Sequence, residues 1–166
     1  MARQHHGGAG SLRDKRVEDT GPFRHSDKHP SATRCPDCGL LFAGGAWKNP
    51  PARLRGAFHA QRCPACLQIR DGQSGGLVYL SGSFASLHRQ DLLNRIRNVE
   101  KLGLPERPLE RIIRIDEEGE GIKITVTTEH LAARIGKAIQ RDCGGSLQLK
   151  YAPEEKYAVA RWRRDD

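Results

Sequence analysis

Two Cys-x-x-Cys pairs constrain this chain more than any other feature of its sequence. Cys35 and Cys38 form the first pair, and Cys63 and Cys66 form the second pair after 24 intervening residues. Two pairs at this separation supply four thiolates that one zinc ion binds tetrahedrally, with two sulfurs coming from each tight turn. The spacing therefore predicts a four-cysteine site with zinc (Zn2+) as the bound cofactor.

Disulfides and a redox motif are the two alternative interpretations of these cysteines. Disulfides need an oxidising compartment, and a thioredoxin-like motif needs only one Cys-x-x-Cys pair near a βαβ pattern. Two equal pairs fit neither alternative, so zinc is favoured. Cys143 stands outside both pairs, and we interpret it as a small buried residue rather than as a nucleophile.

The charge of the chain favours an anionic partner. The chain carries 28 Lys and Arg residues and 20 Asp and Glu residues, which gives a net charge of +8 and an isoelectric point near 9.6. Residues 1–72 contain 12 basic and 6 acidic residues, whereas residues 73–166 contain 16 and 14. The basic excess therefore lies in the N-terminal tail and the cysteine-rich region.

Neither a signal peptide nor a membrane span is predicted. Residues 1–10 are rich in Gly and His and contain no apolar segment. No run approaches the roughly 18 apolar residues that a membrane helix needs. We therefore expect a cytoplasmic protein without membrane association, because a reducing compartment keeps the thiols available for zinc.

The sequence divides into three predicted regions. Residues 1–30 are charged and poor in apolar residues, so they are predicted to form a disordered basic tail. Residues 31–72 are predicted to form a zinc ribbon, and residues 73–166 an α+β domain. The Gly-rich segment 71–76 marks the boundary between the last two regions. The predicted fold class is α+β, a four-cysteine zinc ribbon followed by a small α/β sandwich.

Short strands are predicted around the cysteine pairs of the ribbon. One strand, 40–42, leaves the first pair, and 58–62 enters the second pair. A further strand at 67–70 leaves the second pair. The Gly and Pro residues within 44–55 indicate an irregular loop between them.

The second domain is predicted to have the order β-α-β-β-α-β-β. Ser83 and Thr128 are the predicted N-caps of its two helices, which extend to about residues 101 and 142. Alternating apolar residues predict the strands at 77–80, 111–115, 122–127, 147–151 and 157–162. In 111–115, Ile113 and Ile115 are predicted to share a face. The strand at 77–80 either completes a βαββαβ unit with a final added strand, or extends the sheet of the ribbon.

The loop between the cysteine pairs contains candidate nucleic-acid contacts. Trp47 is a candidate for stacking on bases, and Lys48, Arg53 and Arg55 are candidates for binding phosphates. The alternative for Trp47 is that it covers the zinc-bound sulfurs in the small core of the ribbon.

The second helix contains another candidate contact surface. Arg134, Lys137 and Arg141 lie at positions i, i+3 and i+7, which places three cations on one helix face. A phosphate-binding face and an ordinary solvated face explain this pattern equally well. At the end of the chain, Trp162 lies among arginines and either contacts nucleic acid or completes the core.

Six segments together give the chain a family resemblance, and they are CPDCGL at 35–40, GGAW at 44–47, CPACLQIRD at 63–71, GGLVYLSGSF at 75–84, TTEHLAARIGKA at 127–138 and VARW at 159–162. Over about residues 33–164 the chain resembles a group of uncharacterised bacterial zinc-ribbon proteins. That group is similar to the N-terminal zinc-ribbon region of the archaeal and eukaryotic adaptor that exports the large ribosomal subunit. The resemblance implies that the four cysteines bind zinc and that the partner is the ribosome or structured RNA, and it does not imply nuclear export. The chain departs from the adaptor in having one set of two cysteine pairs, where the adaptor has a larger set.

The predicted function is that of a zinc-binding protein that associates with RNA or the ribosome and is not an enzyme. The alternative is a protein–protein adaptor whose zinc ribbon recognises a partner chain, which would need no basic surface. Catalysis is a third hypothesis, with His88, Asp91 and His130 as candidate acid–base groups. A closed four-cysteine shell leaves no open coordination position for a catalytic metal.

Overall fold

The computed structural model describes residues 32–166, so the predicted tail at 1–30 lies outside the described residues. Over residues 32–166 the chain forms four α-helices and two β-sheets, which confirms the α+β fold class. None of the helices in this range has the length and apolar content that crossing a bilayer requires.

The first part of the described chain, residues 33–71, is called the metal module below. It contains a small sheet with the strand order β3-β2-β1-β4, followed by the helix α1. Its elements are β1 (Thr33–Arg34), β2 (Leu41–Ala43), β3 (Ala46–Lys48), β4 (His59–Ala60) and α1 (Pro64–Asp71).

A two-residue turn joins β2 and β3 in the metal module. Ala43 pairs with Ala46, so Gly44 and Gly45 form the whole turn, with φ values of 61° and 82°. Tight hairpin turns of this kind need positive φ at both central residues, which glycine adopts without steric cost. The prediction of an irregular loop from residue 44 onward is therefore wrong at its start, because β3 follows the turn directly.

The prediction of a strand at 67–70 is also wrong, because these residues belong to the helix α1. Cys63 is the N-cap, with extended backbone angles, and its sulfur accepts a hydrogen bond from the Cys66 amide. Pro64 occupies the first turn, where its fixed φ suits a helix and its missing N–H costs nothing. Gly72 ends the helix in the left-handed conformation, with φ 66°.

The remaining elements form the α+β unit, residues 76–163, around a five-stranded sheet. The strand order is β6-β7-β5-β9-β8. The predicted order of elements is confirmed, except that the first helix is divided at His88, whose φ is −113°. The elements are β5 (Gly76–Ser81), α2 (Ser83–Leu87), α3 (Arg89–Gly103), β6 (Ile112–Glu118), β7 (Gly121–Val126), α4 (Glu129–Cys143), β8 (Ser146–Ala152) and β9 (Tyr157–Arg163).

The topology of this sheet contains two interleaved β-α-β crossovers. Strand β5 is antiparallel to β7 and parallel to β9, while β6 pairs antiparallel with β7 and β8 antiparallel with β9. Strands β5 and β6 therefore run in the same direction with β7 between them, and β7 and β8 run together with β5 and β9 between them. The segment 77–80 thus belongs to the α+β sheet and does not extend the sheet of the metal module.

Helices α2, α3 and α4 all pack on one face of the five-stranded sheet. Alternate residues of the strands point to that face and form one core with the helices. The intervening residues point to the opposite face. The core residues with at most 2% exposure include Val78, Leu80, Leu92, Ile96, Ile122, Ile124, Val126, Leu131, Ile135, Ile139, Ala158, Ala160 and Trp162.

Two local predictions in the α+β unit need correction. The N-cap of α2 is Gly82 rather than Ser83, and it has a φ of 96°. A Cβ at Gly82 would lie 2.1 Å from the carbonyl oxygen of Arg164, so the chain approaches too closely there for a side chain. In β6, a bulge at Ile113 interrupts the alternation, and Ile112 and Ile115 are the residues that pack on the core.

The predicted N-cap of α4 is confirmed. The Thr128 hydroxyl accepts a hydrogen bond of 3.1 Å from the Leu131 amide at a buried position. We expect Thr128→Ala to lower the free energy of unfolding by about 1 kcal/mol, because the amide loses its partner. Urea denaturation measures this change. Thr128→Ser keeps the hydroxyl, so a loss as large in the serine variant would contradict the capping role.

Candidate metal centre

The four predicted ligands lie together at one end of the metal module. The sulfur atoms of Cys35, Cys38, Cys63 and Cys66 all lie within 4.8 Å of one another, and those of Cys38 and Cys63 are 3.6 Å apart. Tetrahedral coordination with bonds of about 2.3 Å places sulfurs about 3.8 Å apart. The cluster therefore has the dimensions and the donor atoms needed to hold one metal ion.

The first pair lies in a tight turn between β1 and β2. The Cys35 amide donates to the Leu40 carbonyl at 2.8 Å, and the Gly39 amide donates to the Cys35 carbonyl at 2.9 Å. Gly39 has a φ of 79°, which reverses the chain after the second ligand. An ion pair of 2.6 Å between Asp37 and Arg62 joins this turn to the segment that precedes the second pair.

The second pair lies at the N-terminus of α1. Cys63 caps the helix, and Cys66 lies in its first turn, so its amide reaches the Cys63 sulfur at 3.5 Å. Unpaired amides and the positive end of the helix dipole favour negative charge at this position. The helix thus stabilises the thiolate form that metal binding requires.

Burial and hydrogen bonding act in opposite directions on the cysteine thiols. Burial raises the pKa of Cys66 to about 11, and it raises the pKa of Cys63 further still. Burial also opposes ionisation of Cys35, but hydrogen bonds from the amides of Cys63, Cys38 and Asp37 outweigh it and lower its pKa to about 7. Metal binding therefore has to displace protons from Cys63 and Cys66, which makes the affinity fall as the pH falls.

Arg111 of the α+β unit contacts the cysteine cluster, and sequence analysis did not identify it. Its Nη1 donates to the Cys66 sulfur at 3.6 Å, and its Nε donates to the Pro108 carbonyl at 2.9 Å. Burial lowers the pKa of Arg111, but hydrogen bonding to Cys38 and the charges of the cysteines raise it by more, so the pKa of Arg111 lies above its ordinary value. Four thiolates around a divalent ion carry a net negative charge, and this guanidinium partly offsets it. Spacing gives no signal for this contact, because Arg111 follows Cys66 by 45 residues.

Further hydrogen bonds connect the metal module to the α+β unit. Gln68 of α1 is fully buried, and its Nε2 donates to the Thr127 carbonyl at 2.8 Å. Asn49 donates to the carbonyls of Leu104 and Pro105 at 3.1 Å each. Leu109 packs against the apolar cluster around the cysteines. The metal module is thus attached to the connections that precede β6 and follow β7.

The structure corrects the stacking role predicted for Trp47. Its side chain is only 7% exposed and belongs to the apolar cluster that includes Cys35 and Leu40. Its ring lies against Phe42, with centroids 5.5 Å apart and planes tilted by 59°. Trp47 therefore completes the core of the metal module, which was the alternative interpretation, and its ring faces are covered.

The three cations predicted near Trp47 are all exposed. Lys48 lies on β3, and Arg53 and Arg55 lie in the connection between β3 and β4. None of the three forms an ion pair with another residue in the described part of the chain. Their contribution to nucleic-acid binding stays a prediction.

Arg134, Lys137 and Arg141 share one groove, as their helical spacing predicts. The groove lies between α3 and α4, has a volume of about 510 Å³ and also includes Arg107. Arg134 is paired with Glu110, and Arg141 is paired with Asp142 at 2.8 Å. Among residues 32–166, neither Lys137 nor Arg107 has an acidic partner.

This groove continues along α4 towards β8. A second concavity shares Arg107, Arg134 and Lys137 with it and adds His130 and Tyr151, of which Tyr151 is 52% exposed. We call the combined surface the basic groove. Its polar side chains are Arg107, Glu110, His130, Arg134, Lys137, Arg141 and Tyr151, of which Glu110 is the one acid and is paired with Arg134, and its apolar wall includes Val99, Leu102 and Ala138.

The remaining candidates from the sequence lie at other places. Cys143 is the last residue of α4 and packs against the main core, but it is half-buried rather than fully buried as predicted. Trp162 also belongs to that core. His88 stacks on Phe84 with centroids 4.1 Å apart, whereas His130 lines the basic groove.

Comparison of the chain with family models, curated proteins and solved structures found no match in any of the three. The class of protein is described by its fold and by its cysteine site. It is an α+β protein in which a module with four cysteines arranged to hold a metal ion is hydrogen-bonded to the unit that contains a five-stranded sheet, covered on one face by helices.

Proposed function

We propose that this chain is a zinc-binding cytoplasmic protein that binds RNA, either free or within the ribosome, and that has no catalytic activity. The observation that carries the RNA-binding part is the basic groove, in which four cations from two separate segments line one concave surface. Zinc has a structural role in this proposal, and the α+β unit provides the RNA-binding surface.

The chemistry of the donor set supports zinc. Four thiolates are soft ligands, and a tetrahedral arrangement of four sulfurs is typical of zinc or iron sites. Both pairs lie in rigid local structures, a tight turn and a helix N-terminus, as in structural zinc sites. Four protein ligands fill the tetrahedral shell, so the bound ion has no position left for a substrate.

The composition of the basic groove supports a nucleic-acid partner. Lys137 and Arg107 have no acidic partner in the described chain, so they are available to phosphates. Tyr151 lies at one end of the groove with about half of its surface exposed, and it offers a ring on which a base can stack. Phosphate contacts next to an aromatic platform are the usual combination in single-stranded RNA recognition.

Charge reversal in the basic groove tests this proposal. We expect Arg107→Glu combined with Lys137→Glu to weaken RNA binding by more than tenfold, because two phosphate contacts are replaced by repulsion. For the unmodified protein, we expect raising salt from about 50 to about 200 mM to weaken binding by more than tenfold as well. Fluorescence anisotropy with labelled RNA measures both effects on the zinc-loaded protein.

Arg97→Glu combined with Lys101→Glu is the matched control for this experiment. Both residues are exposed cations of α3 that do not line the basic groove. We expect their reversal to change the affinity by less than the groove variant does, although the net charge changes by the same amount. An equal loss in both variants would contradict a localised site, and an affinity that is indifferent to salt would contradict RNA binding itself.

A protein–protein adaptor is the second candidate function, and one observation favours it. A cavity of about 560 Å³ lies beside the cysteine cluster, lined by Cys35, Pro36, Phe58 and His59 among others. Strand β4 is at the edge of the small sheet next to this cavity, and an edge strand can pair with an extended peptide. In this case, neutralising Arg134, Lys137 and Arg141 would leave partner binding intact.

A further inference from the structure

The face of the five-stranded sheet opposite the helices carries a continuous polar row that sequence analysis did not reveal. Each residue in the row is paired in register with the next one, so the row crosses all five strands. In the order of the strands from β8 to β6, its members are Gln148, Arg161, Tyr79, Lys123 and Asp116.

Tyr79 lies at the centre of this face, on the middle strand β5. The guanidinium carbon of Arg161 is 4.8 Å from the centroid of the Tyr79 ring, and the Lys123 ammonium is 5.8 Å from it. These distances are those of cation–π contacts. The ring is therefore held between two cations at the surface of the sheet, where it is partly exposed.

The charge of this face is unevenly distributed. On the β6 side, Lys123 is paired with Glu118 at 3.3 Å, and Arg114 is paired with Asp116 at 2.7 Å. On the β8 and β9 side, Arg161 and Lys150 are exposed. Neither has an acidic partner in residues 32–166. The half of the face next to Tyr79 and towards β8 is therefore positively charged and available to an anion.

A flat apolar strip lies beside the tyrosine. Leu77 pairs with Val159 on the neighbouring strand, and Lys150 pairs with Val159 from the other side. Leu77 and Val159 are partly exposed on the same face as Tyr79. The face thus combines a ring, two short apolar side chains and unpaired cations within three adjacent strands.

We propose that this sheet face, here called the Tyr79 face, binds a single-stranded RNA segment. Bases lie on the guanidinium plane of Arg161, which the Tyr79 ring supports from below, and on the apolar strip, while Lys150 contacts phosphates. Double-stranded RNA fits this face poorly, because its bases are stacked within the helix and are not free to lie on a flat surface. The inference rests on the proposed RNA-binding function, and it adds a second contact surface on the side of the sheet opposite the basic groove.

Substitution at Tyr79 and Arg161 tests the inference on the full-length, zinc-loaded protein. The probes are a labelled oligouridine and a labelled RNA duplex of equal length. We expect Tyr79→Leu to weaken oligouridine binding about fivefold or more, because the Arg161 guanidinium loses the ring that holds it in place for stacking. Arg161→Gln is expected to weaken it to a similar extent and to reduce its salt dependence. Binding of the duplex is expected to change by less in both variants.

Arg97→Gln is the matched control for Arg161→Gln, because Arg97 is an exposed arginine of α3 and lies on the helix side of the sheet, away from the Tyr79 face. Tyr79→Leu keeps an apolar residue on the strand, and equal circular dichroism and zinc content show that the variant is folded. Cross-linking with 4-thiouridine in the oligonucleotide gives a second readout. We expect the cross-linked peptide to include β5 or β9.

The possible outcomes separate this inference from the proposed function. If the basic-groove variant loses affinity while Tyr79→Leu binds oligouridine as tightly as the unmodified protein, the Tyr79 face is not an RNA site and the proposed function stands. If the unmodified protein binds neither probe, both proposals fail. Equal binding of a polyglutamate peptide and the oligouridine would also overturn the inference, since the face would then recognise negative charge alone.

Discussion

We expect Cys63→Ser to abolish stoichiometric zinc binding and to unfold the metal module. Serine can still cap α1, because its hydroxyl accepts an amide hydrogen bond as the Cys63 sulfur does. The substitution therefore removes the thiolate ligand and leaves the helix cap. Structural zinc sites in small domains contribute about 10–16 kcal/mol to folding at neutral pH, so the loss of one of four ligands has a large effect.

The metal content of the purified protein is the first measurement for this variant. Cys143→Ser is the matched control, because it removes a cysteine that packs in the main core away from the cluster. We expect about one equivalent of zinc in the control and less than about a tenth in Cys63→Ser. One full equivalent of zinc in Cys63→Ser would show that the four-cysteine site is not the metal site.

The two tryptophans allow the metal module and the α+β unit to be followed separately. Trp47 is buried in the metal module, and Trp162 is buried in the core of the α+β unit. Unfolding of the metal module exposes Trp47 to water, so we expect red-shifted emission in Cys63→Ser. The same variant carrying Trp47→Phe retains only Trp162, and its emission should remain that of a buried indole. A red shift in this second protein would show that zinc also maintains the α+β core.

The parts of the structure that were predictable from the sequence follow from local rules. Four thiolates around one metal require paired ligands at short spacing, so the Cys-x-x-Cys pairs identified the cluster directly. The order of the elements in the α+β unit followed from apolar periodicity, and Thr128 was identifiable as a cap from its position before an amphipathic helix.

The errors have equally specific physical causes. The segment 67–70 alternates apolar and polar residues as a strand does, and cysteine is not a usual N-cap, so α1 was missed. Pro64 at the first helical position was the signal that favoured a helix. For Trp47 the sequence left base stacking and burial in the module as alternatives, and the hairpin formed by β2 and β3 decides for burial because it turns the ring into the module.

The proposed RNA-binding surfaces and the Arg111 contact depend on pairings between residues that are distant in sequence. The Tyr79 face exists because β9 lies between β5 and β8, which brings Arg161 beside Tyr79. Arg111 reaches the cysteine cluster for a similar reason, since the chain after α3 returns to the metal module. Local periodicity assigns residues to the two faces of a strand but does not determine which strands are neighbours.

Trp162→Ala is expected to lower the free energy of unfolding by about 3–5 kcal/mol, the range for large aromatic residues in cores. Trp162 is fully buried, and its indole N–H donates to the Gly144 carbonyl at 2.7 Å. The Phe84 ring packs edge-on against it, with centroids 6.0 Å apart. The substitution therefore removes a large apolar volume and leaves a carbonyl without its donor. Urea denaturation followed by circular dichroism measures the change.

Tyr151→Ala is the control for this variant, because Tyr151 lies on the same sheet with about half of its surface exposed. We expect it to change stability by no more than about 0.5 kcal/mol. Trp162 follows Arg161 on β9. Because Trp162 is anchored in the core, it fixes the position of β9 and therefore of Arg161, the cation over the Tyr79 ring. A Trp162→Ala protein of unchanged stability would contradict this packing role. A folded variant with weakened RNA binding would show that the anchor also positions the Tyr79 face.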